Sequence, residues 1–269
     1  MHLLIVGGTG TSGRVLTQRA VAAGHHVRVL TRGAARPALD GHHSARGVHG
    51  DLVSGAGVDE AVDGVDAVVD LSNIATARYR TAAAFFATGT EHLFAAEQRA
   101  GVKHHVTLSI VGVDRFPSGY YRAKLDQEKA VIAASARTGV GHSIARVTQF
   151  HDFATLVLQR FRFRGLVVAP PLHSQPVHLD DVADHLLRVL AGGPVGYAPE
   201  LGGPRPEDVP DMVRRYARQV APSVRVLAAP LFGEARRAND SGVLRPAGGV
   251  RGERSFEQWL RELRHDPAR

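Results

Sequence analysis

Residues 1–14, MHLLIVGGTGTSGR, decide the fold. Leu3 to Val6 is a short apolar run of the kind that fills a buried strand, and Val15 to Val21 then takes up a helical period. Between them Gly7, Gly10 and Gly13 recur at three-residue steps. The first glycine permits a tight turn, the second lets backbone approach a pyrophosphate, and the third lets helix and strand pack closely. Gly8, Gly10 and Gly13 fit the G-x-G-x-x-G spacing as well, so glycine counting leaves the register open. In either register the phosphates are expected on the free N–H groups of a helix N-terminus, at the positive end of its dipole. Gly7, Thr9, Gly10, Thr11, Ser12, Gly13 and Arg14 are the residues expected around them.

The next strand, His26 to Leu30, says which nucleotide. A fold specific for NAD places an Asp or Glu at the end of that strand to bond the ribose 2′-OH. Here Thr31 and Arg32 stand there, and the first carboxylate of the chain is Asp40, preceded by Arg14, Arg19, Arg28, Arg32 and Arg36. Guanidinium pairs with phosphate through two parallel hydrogen bonds, so this acid-free unit predicts NADP(H), with Arg32 first and Arg14 second on the 2′-phosphate.

Further along, Ala45 to His49 reads as a third strand, leaving through Gly50-Asp51-Leu52 with Asp51 and Leu52 near an adenine. Asp59 to Val62 reads as a short helix, and Asp66 to Leu71 as a fourth strand ending in Ser72 and Asn73. Small polar residues at a strand's carboxyl end face the crevice where ligands bind in such sheets. A helix over Thr81 to Arg99, closed by Gly101, precedes a fifth strand at His104 to Leu108 that ends at Ser109. Strand and helix alternating at this spacing predict a parallel sheet covered by helices on both faces.

After Ser109 a loop with Gly112, Pro117 and Gly119 leads into a helix over Tyr120 to Arg137. Tyr120 and Lys124 are four residues apart, one helical turn, so they share a face. An ammonium beside a phenol favours the phenolate and lowers its pKa from about 10 toward the working pH, giving a proton donor that can recharge. The chemistry this permits is carbonyl reduction or alcohol oxidation, with Ser109 bonding the substrate oxygen and a nicotinamide supplying hydride. Tyr121 is the rival phenol but lacks the four-residue spacing.

Gly141 to Val147 reads as a sixth strand, from whose end Thr148, Gln149, Phe150 and His151 emerge to border the nicotinamide or the substrate. Pro170-Pro171 breaks the chain before a helix over Val177 to Leu190 capped by Asp180 or Asp181. Asp181 and Asp184 are read as helix-start charges rather than as a catalytic pair. Helices near Pro206 to Gln219 and Phe256 to Leu263 flank a poorly patterned stretch, Ala229 to Arg254, whose Leu231 and Phe232 are candidates for touching substrate.

The totals narrow the class. No run approaches the ~18 apolar residues that span a bilayer, and the opening residues read as a strand rather than a leader, so the cytoplasm is expected and no membrane partner is. With no cysteine in the chain, thiolate nucleophiles and cysteine-based metal sites are excluded. None of the 15 histidines forms a recognisable metal spacing, so no metal is expected. Lysine occurs only at positions 103, 124 and 129, so arginine supplies nearly all the positive charge behind the net +7. The basic residues read as scattered and without interleaved aromatics, which predicts no nucleic-acid partner.

These motifs together resemble the atypical, extended branch of the short-chain dehydrogenase/reductase family, in its NAD(P)H-binding, NmrA-like subgroup. The similarity rests on GGTGTSGR, VRVLTRG, the GDL at Asp51, Ser109, YYRAKLDQEKAV from Tyr120 and ARVTQFHDF from Ala145, and continues loosely through PVHLDDVADHLL and ELGGP to SFEQWL. It implies an α/β fold, a Rossmann-type doubly wound parallel sheet of order 3-2-1-4-5-6 or longer. An NADP(H)-binding core over 1–150 is then joined by a small C-terminal substrate-binding portion over 151–269, interleaved with it. It also implies a Ser-Tyr-Lys set at Ser109, Tyr120 and Lys124, with Lys124 also orienting the ribose, a small-molecule substrate, and a homodimer. The expected activity is NADPH-dependent reduction of a ketone, enone or similar small carbonyl. Ser109 precedes Tyr120 by only eleven residues, short for the family. The subgroup also holds non-catalytic NADP(H)-sensing regulators, which typically lack the tyrosine and lysine retained here, and the fold serves isomerases, epimerases and dehydratases.

Overall fold

The computed structural model describes residues 1–33, 45–76 and 78–265, so Arg36 and Asp40 lie outside the described residues. The opening apolar run becomes β1 (His2–Val6), with Leu3 to Val6 all buried, followed by α1 (Thr11–Ala22), β2 (His26–Thr31) and β3 (Ala45–His49). Next come α2 (Val58–Val62), β4 (Ala67–Asp70), α3 (Tyr79–Ala100) and β5 (His104–Ile110), then α4 (Gly119–Thr138) and β6 (Gly141–Val147). The later chain forms α5 (Phe153–Arg160), β7 (Arg162–Phe163), β8 (Leu166–Ala169), β9 (His173–Ser174), α6 (Leu179–Gly192), β10 (Gly196–Tyr197) and β11 (Leu201–Gly202). It closes with β12 (Glu207–Asp208), α7 (Val209–Val220), β13 (Arg225–Ala228), α8 (Gly233–Asp240), β14 (Val250–Arg251) and α9 (Phe256–His265).

These elements divide into two units. The first takes 1–109, 119–146 and 182–198, and the second takes 110–118, 147–181 and 199–269. In the first unit the strands run in the order β3-β2-β1-β4-β5-β6, with β10 beside β6, which is the doubly wound arrangement. Parallel register sets Val6 beside Leu30 on one side and Asp70 on the other, so the carboxyl ends of β1, β2 and β4 line up. One face packs Leu4, Val6, Leu30, Val48 and Val68 against Val58 and Val62 of α2 and Leu93 and Ala96 of α3. Gly101 closes α3 in the left-handed conformation, φ 71°, as its sequence position predicts. Two of the early arginines act in the scaffold: Arg28 donates to the Ala61 carbonyl of α2 at 3.3 Å and to the carbonyl of Asp63 just beyond it, while Arg19 pairs with Asp184 at 3.6 Å.

The second unit is built from short pieces around a separate core. Val157, Val167, Met212, Val213, Phe256 and Trp259 meet there. β11 pairs with Val147 and with β14, β9 with β12, and β7, β8 and β13 form a three-stranded sheet. Three expectations need correction in this region. α6 starts at Leu179 rather than Val177, because His178 Nδ1 and the Asp180 amide already bond each other at 3.1 Å before the first turn. Asp181 lies inside that turn, and its Oδ2 accepts the backbone N–H groups of Glu253 (3.1 Å) and Arg254 (3.2 Å). The stretch Ala229 to Arg254 contains α8 and β14. No helix among the described residues is long and apolar enough to cross a membrane.

Candidate active site

The turn after β1 is crowded at the distinguishing glycine of either register, Gly7 and Gly8 alike. Gly7 has φ +78°, and a Cβ there would stand 2.7 Å from the Leu71 carbonyl oxygen. At Gly8 a Cβ would stand 2.7 Å from Val29 Cγ1, and at Gly13 only 2.2 Å from the Gly7 oxygen and 2.5 Å from Gly8 Cα. Gly10 is the least crowded, with Gly7 oxygen at 3.2 Å. Gly7, Gly8 and Gly13 thus shape the turn, while Gly10 keeps its outer side clear. The Gly10 N–H closes the turn on the Gly7 carbonyl at 2.9 Å, and Arg14 Nε donates to the Thr9 carbonyl at 3.0 Å. Gly10 is also the N-cap of α1, so no side-chain cap and no first-turn acid covers the amide end at Thr11, Ser12 and Gly13. An amide end left open in this way can hold a pyrophosphate.

Around it, Arg32 is exposed just beyond the carboxyl end of β2. Asp51 is half-buried and its Oδ1 accepts the Val53 amide at 2.6 Å, bracing its own turn. Leu52 points its side chain into the core, and His92 Nδ1 donates to its carbonyl at 2.7 Å. Ser72 and Asn73 leave β4 beside the Gly7 turn, with the Ser72 amide donating to Asp70 Oδ1 at 2.8 Å.

Tyr120 opens α4 with its ring edge-on to Phe86 and its hydroxyl donating to Asn73 Oδ1 at 2.7 Å. Burial pushes its pKa up to about 12, with the Asn73 bond only partly opposing. The lowering expected from Lys124 is not found, because the ammonium is engaged elsewhere. Lys124 Nζ donates to the Leu108 carbonyl at 2.8 Å and to Gln127 Oε1 at 2.6 Å, and lies 4.7 Å from the centre of the Phe86 ring. Burial lowers its pKa to about 8 against the opposing charges of Asp70 and Glu128. Ser109 is buried, and its hydroxyl donates to Glu128 Oε1 at 2.5 Å.

The structure therefore adds four residues that the sequence reading passed over. Gln127 Nε2 donates to Asp70 Oδ2 at 3.0 Å, completing a buried chain from Lys124 through Gln127 and Asp70 to the Ser72 amide. Glu128 is gripped by Arg146 through two bonds of 2.9 and 2.6 Å and also accepts the Tyr197 hydroxyl at 3.2 Å. Gln127 and Glu128 follow Lys124 by three and four positions, so the face that joins Tyr120 to Lys124 already pointed to them. Asp70 and Arg146 sit in strands and are reached only through the fold.

Gln149, Phe150, His151, Leu231 and Phe232 belong to the second unit. The Gln149 carbonyl accepts the Val177 amide at 2.9 Å, and Phe150 bridges to Val177. His151 was expected as pocket lining, yet it is fully buried in that unit's own aromatic core, 5.6 Å from the Phe256 ring, with Nε2 donating to the Pro176 carbonyl at 3.0 Å. Burial, with His178 adding to it, lowers its pKa to about 3, so it is a neutral core histidine. Leu231 is half-buried, and Phe232 is 76% exposed just before α8. Among the described residues no three His, Asp or Glu side chains gather as a metal site.

A family model described as NAD(P)H-binding matches residues 7–192, from the glycine turn through α6. The chain belongs to this NAD(P)H-binding family. Within it the chain stands with the NmrA-like, atypical short-chain dehydrogenases/reductases, as its motifs implied. Photosystem II assembly factor Ycf39 of Synechocystis is 32% identical over 117 residues, covering 44% of this chain and 36% of that protein. The Ycf39 of Trieres chinensis is 34% identical over 116 residues, covering 43% and 36%. The matched region thus spans about a third of the length of these relatives. In fold, the family member is similar to the dTDP-glucose 4,6-dehydratase DesIV of Streptomyces venezuelae, solved with NAD bound, at a TM-score of 0.76 and 22% identity over 99% of this chain and 98% of that one. It is also similar to the UDP-Glc/GlcNAc 4-epimerase of Campylobacter jejuni, at a TM-score of 0.73 and 14% identity over 96% of each chain.

Proposed function

We propose that this family member is an NADP(H)-dependent oxidoreductase that reduces a small organic carbonyl, a ketone or an enone, with Tyr120 as the proton donor. The observation that carries the reading is the Tyr120 hydroxyl, kept protonated by burial and pointed at Asn73, in the same unit as the glycine turn. With its pKa raised to about 12 the phenol is protonated at neutral pH but is a weaker acid than an ordinary tyrosine; its proton goes to the more basic alkoxide that hydride addition leaves, whereas alcohol oxidation needs the phenolate. Ser109 is buried with its only hydroxyl hydrogen on the Glu128 carboxylate, so it has none to offer a carbonyl oxygen, whereas Tyr120 holds its hydrogen on the neutral Asn73 oxygen, which a substrate oxygen can replace. Lys124, fixed by Leu108 and Gln127, braces the face of α4 that carries Tyr120. The glycine turn fits a dinucleotide, since the cradle exists only because Gly7 and Gly13 lack a Cβ. A bound nicotinamide supplies the hydride. Arg32, with Arg14 anchored on Thr9, supports a 2′-phosphate at the end of β2.

Tyr120→Phe tests the proton donor. Turnover of a ketone and enone panel with NADPH is expected to fall about 10²- to 10⁴-fold, with NADPH affinity kept within about twofold. Unchanged turnover removes Tyr120 from the reaction. Substrate conversion without net NADPH oxidation in the unaltered protein would instead mark an isomerase, epimerase or dehydratase.

The cofactor choice is tested separately. Arg32→Ala is expected to weaken NADPH binding about tenfold or more while leaving NADH unchanged, as loss of a charge-assisted phosphate pair does. Equal effects on both cofactors in a fluorescence titration would remove Arg32 from the 2′-phosphate.

A second reading is favoured by one observation: Lys124 and Ser109 both direct their polar atoms into the protein's own network. In that reading the protein binds NADP(H) without turnover and signals its redox state to a partner. Cofactor binding with no activity on any carbonyl, in both the unaltered protein and Tyr120→Phe, selects it.

A further inference from the structure

The small sheet of the second unit has one apolar face that no described element covers. β7 and β8 form a hairpin through Arg164 (φ 46°) and Gly165 (φ 80°), a two-residue turn with both central residues left-handed. β13 lies parallel on the other side of β8, pairing Val168 with Leu227. Alternation sends Val167, Ala169 and Val226 toward the unit's core, and Phe163, Leu166, Val168 and Leu227 to the other side. There Phe163 is 71%, Leu227 53% and Val168 43% exposed, and Phe161, two residues before Phe163, is 50% exposed. Isolated exposed apolar residues are ordinary, but a face built of them is not.

Arginine predominates in the segments that build this face. Phe161 and Phe163 are interleaved with Arg160, Arg162 and Arg164, and the Arg164 guanidinium lies over the Phe163 ring at 5.2 Å. Where β13 meets α7, Arg214, Arg218 and Arg225 line a shallow cleft of about 290 Å³ with Pro222 and Val224. The two stretches that supply the surface, 153–179 and 212–233, contain seven arginines and no Asp or Glu. Arg214 pairs with Asp211, and Arg215 with Glu207 and Glu257, carboxylates from outside those stretches.

We propose that this face docks on an anionic lipid surface. Phenyl rings flanked by guanidinium groups suit the boundary between acyl chains and headgroups, where the rings enter hydrocarbon and the arginines stay with phosphate. A second copy of the chain fits poorly, because a two-fold contact would set Arg164 and Arg225 against a patch of the same sign. Single-stranded nucleic acid would use the rings for stacking, but it has no use for Leu166, Val168 and Leu227 beside them.

The test is co-sedimentation of the full chain with vesicles of phosphatidylcholine alone and of phosphatidylcholine with roughly one part in three phosphatidylglycerol. Binding is expected to the anionic vesicles only and to weaken as salt rises. Phe163→Ser is expected to weaken it about tenfold, and Arg225→Ala, on the same side of the sheet, about fivefold. These positions are exposed, and unchanged melting temperatures confirm that the variants fold. Failure to bind anionic vesicles, or binding indifferent to Phe163→Ser, overturns the proposal. Two further outcomes overturn it by naming another occupant: a Phe163-dependent dimer in analytical ultracentrifugation, or Phe163-dependent binding of a fluorescent single-stranded oligonucleotide without vesicle binding.

Discussion

Gly13→Ala is expected to abolish measurable NADPH binding, raising Kd at least a hundredfold, and to lower stability by about 3 kcal/mol. The added methyl would meet the Gly7 oxygen at 2.2 Å, Gly8 Cα at 2.5 Å and the Gly7 carbonyl carbon at 2.8 Å. All three are backbone atoms of the turn, so no rotamer change relieves the clash. The turn must move away from α1, and with it go the N–H groups that form the cradle. Gly10→Ala is the control. Its Cβ would meet only the Gly7 oxygen, at 3.2 Å, and Gly10 has φ −75°, which alanine adopts freely. It should fold with near-normal stability and lose at most about tenfold in cofactor affinity, the expected size of a lost close approach. A fluorescence titration with NADPH and a thermal melt of each variant decide the matter. Equal losses at the two positions would mean that contact between turn and helix is not what shapes the cradle.

The second large effect concerns stability rather than binding. Glu128→Ala is expected to cost about 3–5 kcal/mol, because it leaves the Arg146 guanidinium largely buried and without the carboxylate it grips. The Glu128 side chain is 1% exposed and that of Arg146 14%. Ser109 and Tyr197 lose their acceptor in the same step. Glu128→Gln keeps the shape but not the charge and should cost less. The double variant Glu128→Leu with Arg146→Met removes both charges and should recover most of the loss, since an apolar pair avoids desolvating either ion. Urea unfolding of the three variants separates these outcomes. A cost for Glu128→Ala below about 1 kcal/mol would place the cluster with exposed ion pairs, which contribute little.

The parts of the fold visible in the sequence are those where burial and punctuation agree. His26 to Leu30 was read as strand and is His26–Thr31, Gly141 to Val147 matches β6 end for end, and the helix read over Tyr120 to Arg137 is Gly119–Thr138. Each is a continuous apolar or periodic segment bounded by glycine or by a loop. The second unit lacks such segments. Strands as short as Arg162–Phe163 or Glu207–Asp208 show no alternation, and the polar α8, GEARRAND, has no apolar period to announce it. At the site, the spacing of Tyr120 and Lys124 was legible and their contacts were not. Whether an ammonium faces a phenol or a glutamine one turn on depends on rotamers and on Phe86, neither of which spacing encodes. Taken over the whole chain, the arginines read as scattered and free of interleaved aromatics. Counting lysine and arginine over the whole chain hid the one place, Arg160 to Arg164, where they alternate with phenylalanine.

The division of the chain between its two cores also governs how it is made. The first unit has all its residues once Ala198 is in place, but the second cannot close until much later. Val157 and Val167 are synthesised early, and the partners that cover them, Met212, Val213, Phe256 and Trp259, come after the excursion through 182–198. Chains emerge N-terminus first, and apolar surface left waiting is what chaperones capture and aggregates grow from. A ribosome halted before Phe256 therefore carries a first unit with all its residues and a second with a half-built core, and α9, which brings Phe256 and Trp259, ends that vulnerable interval.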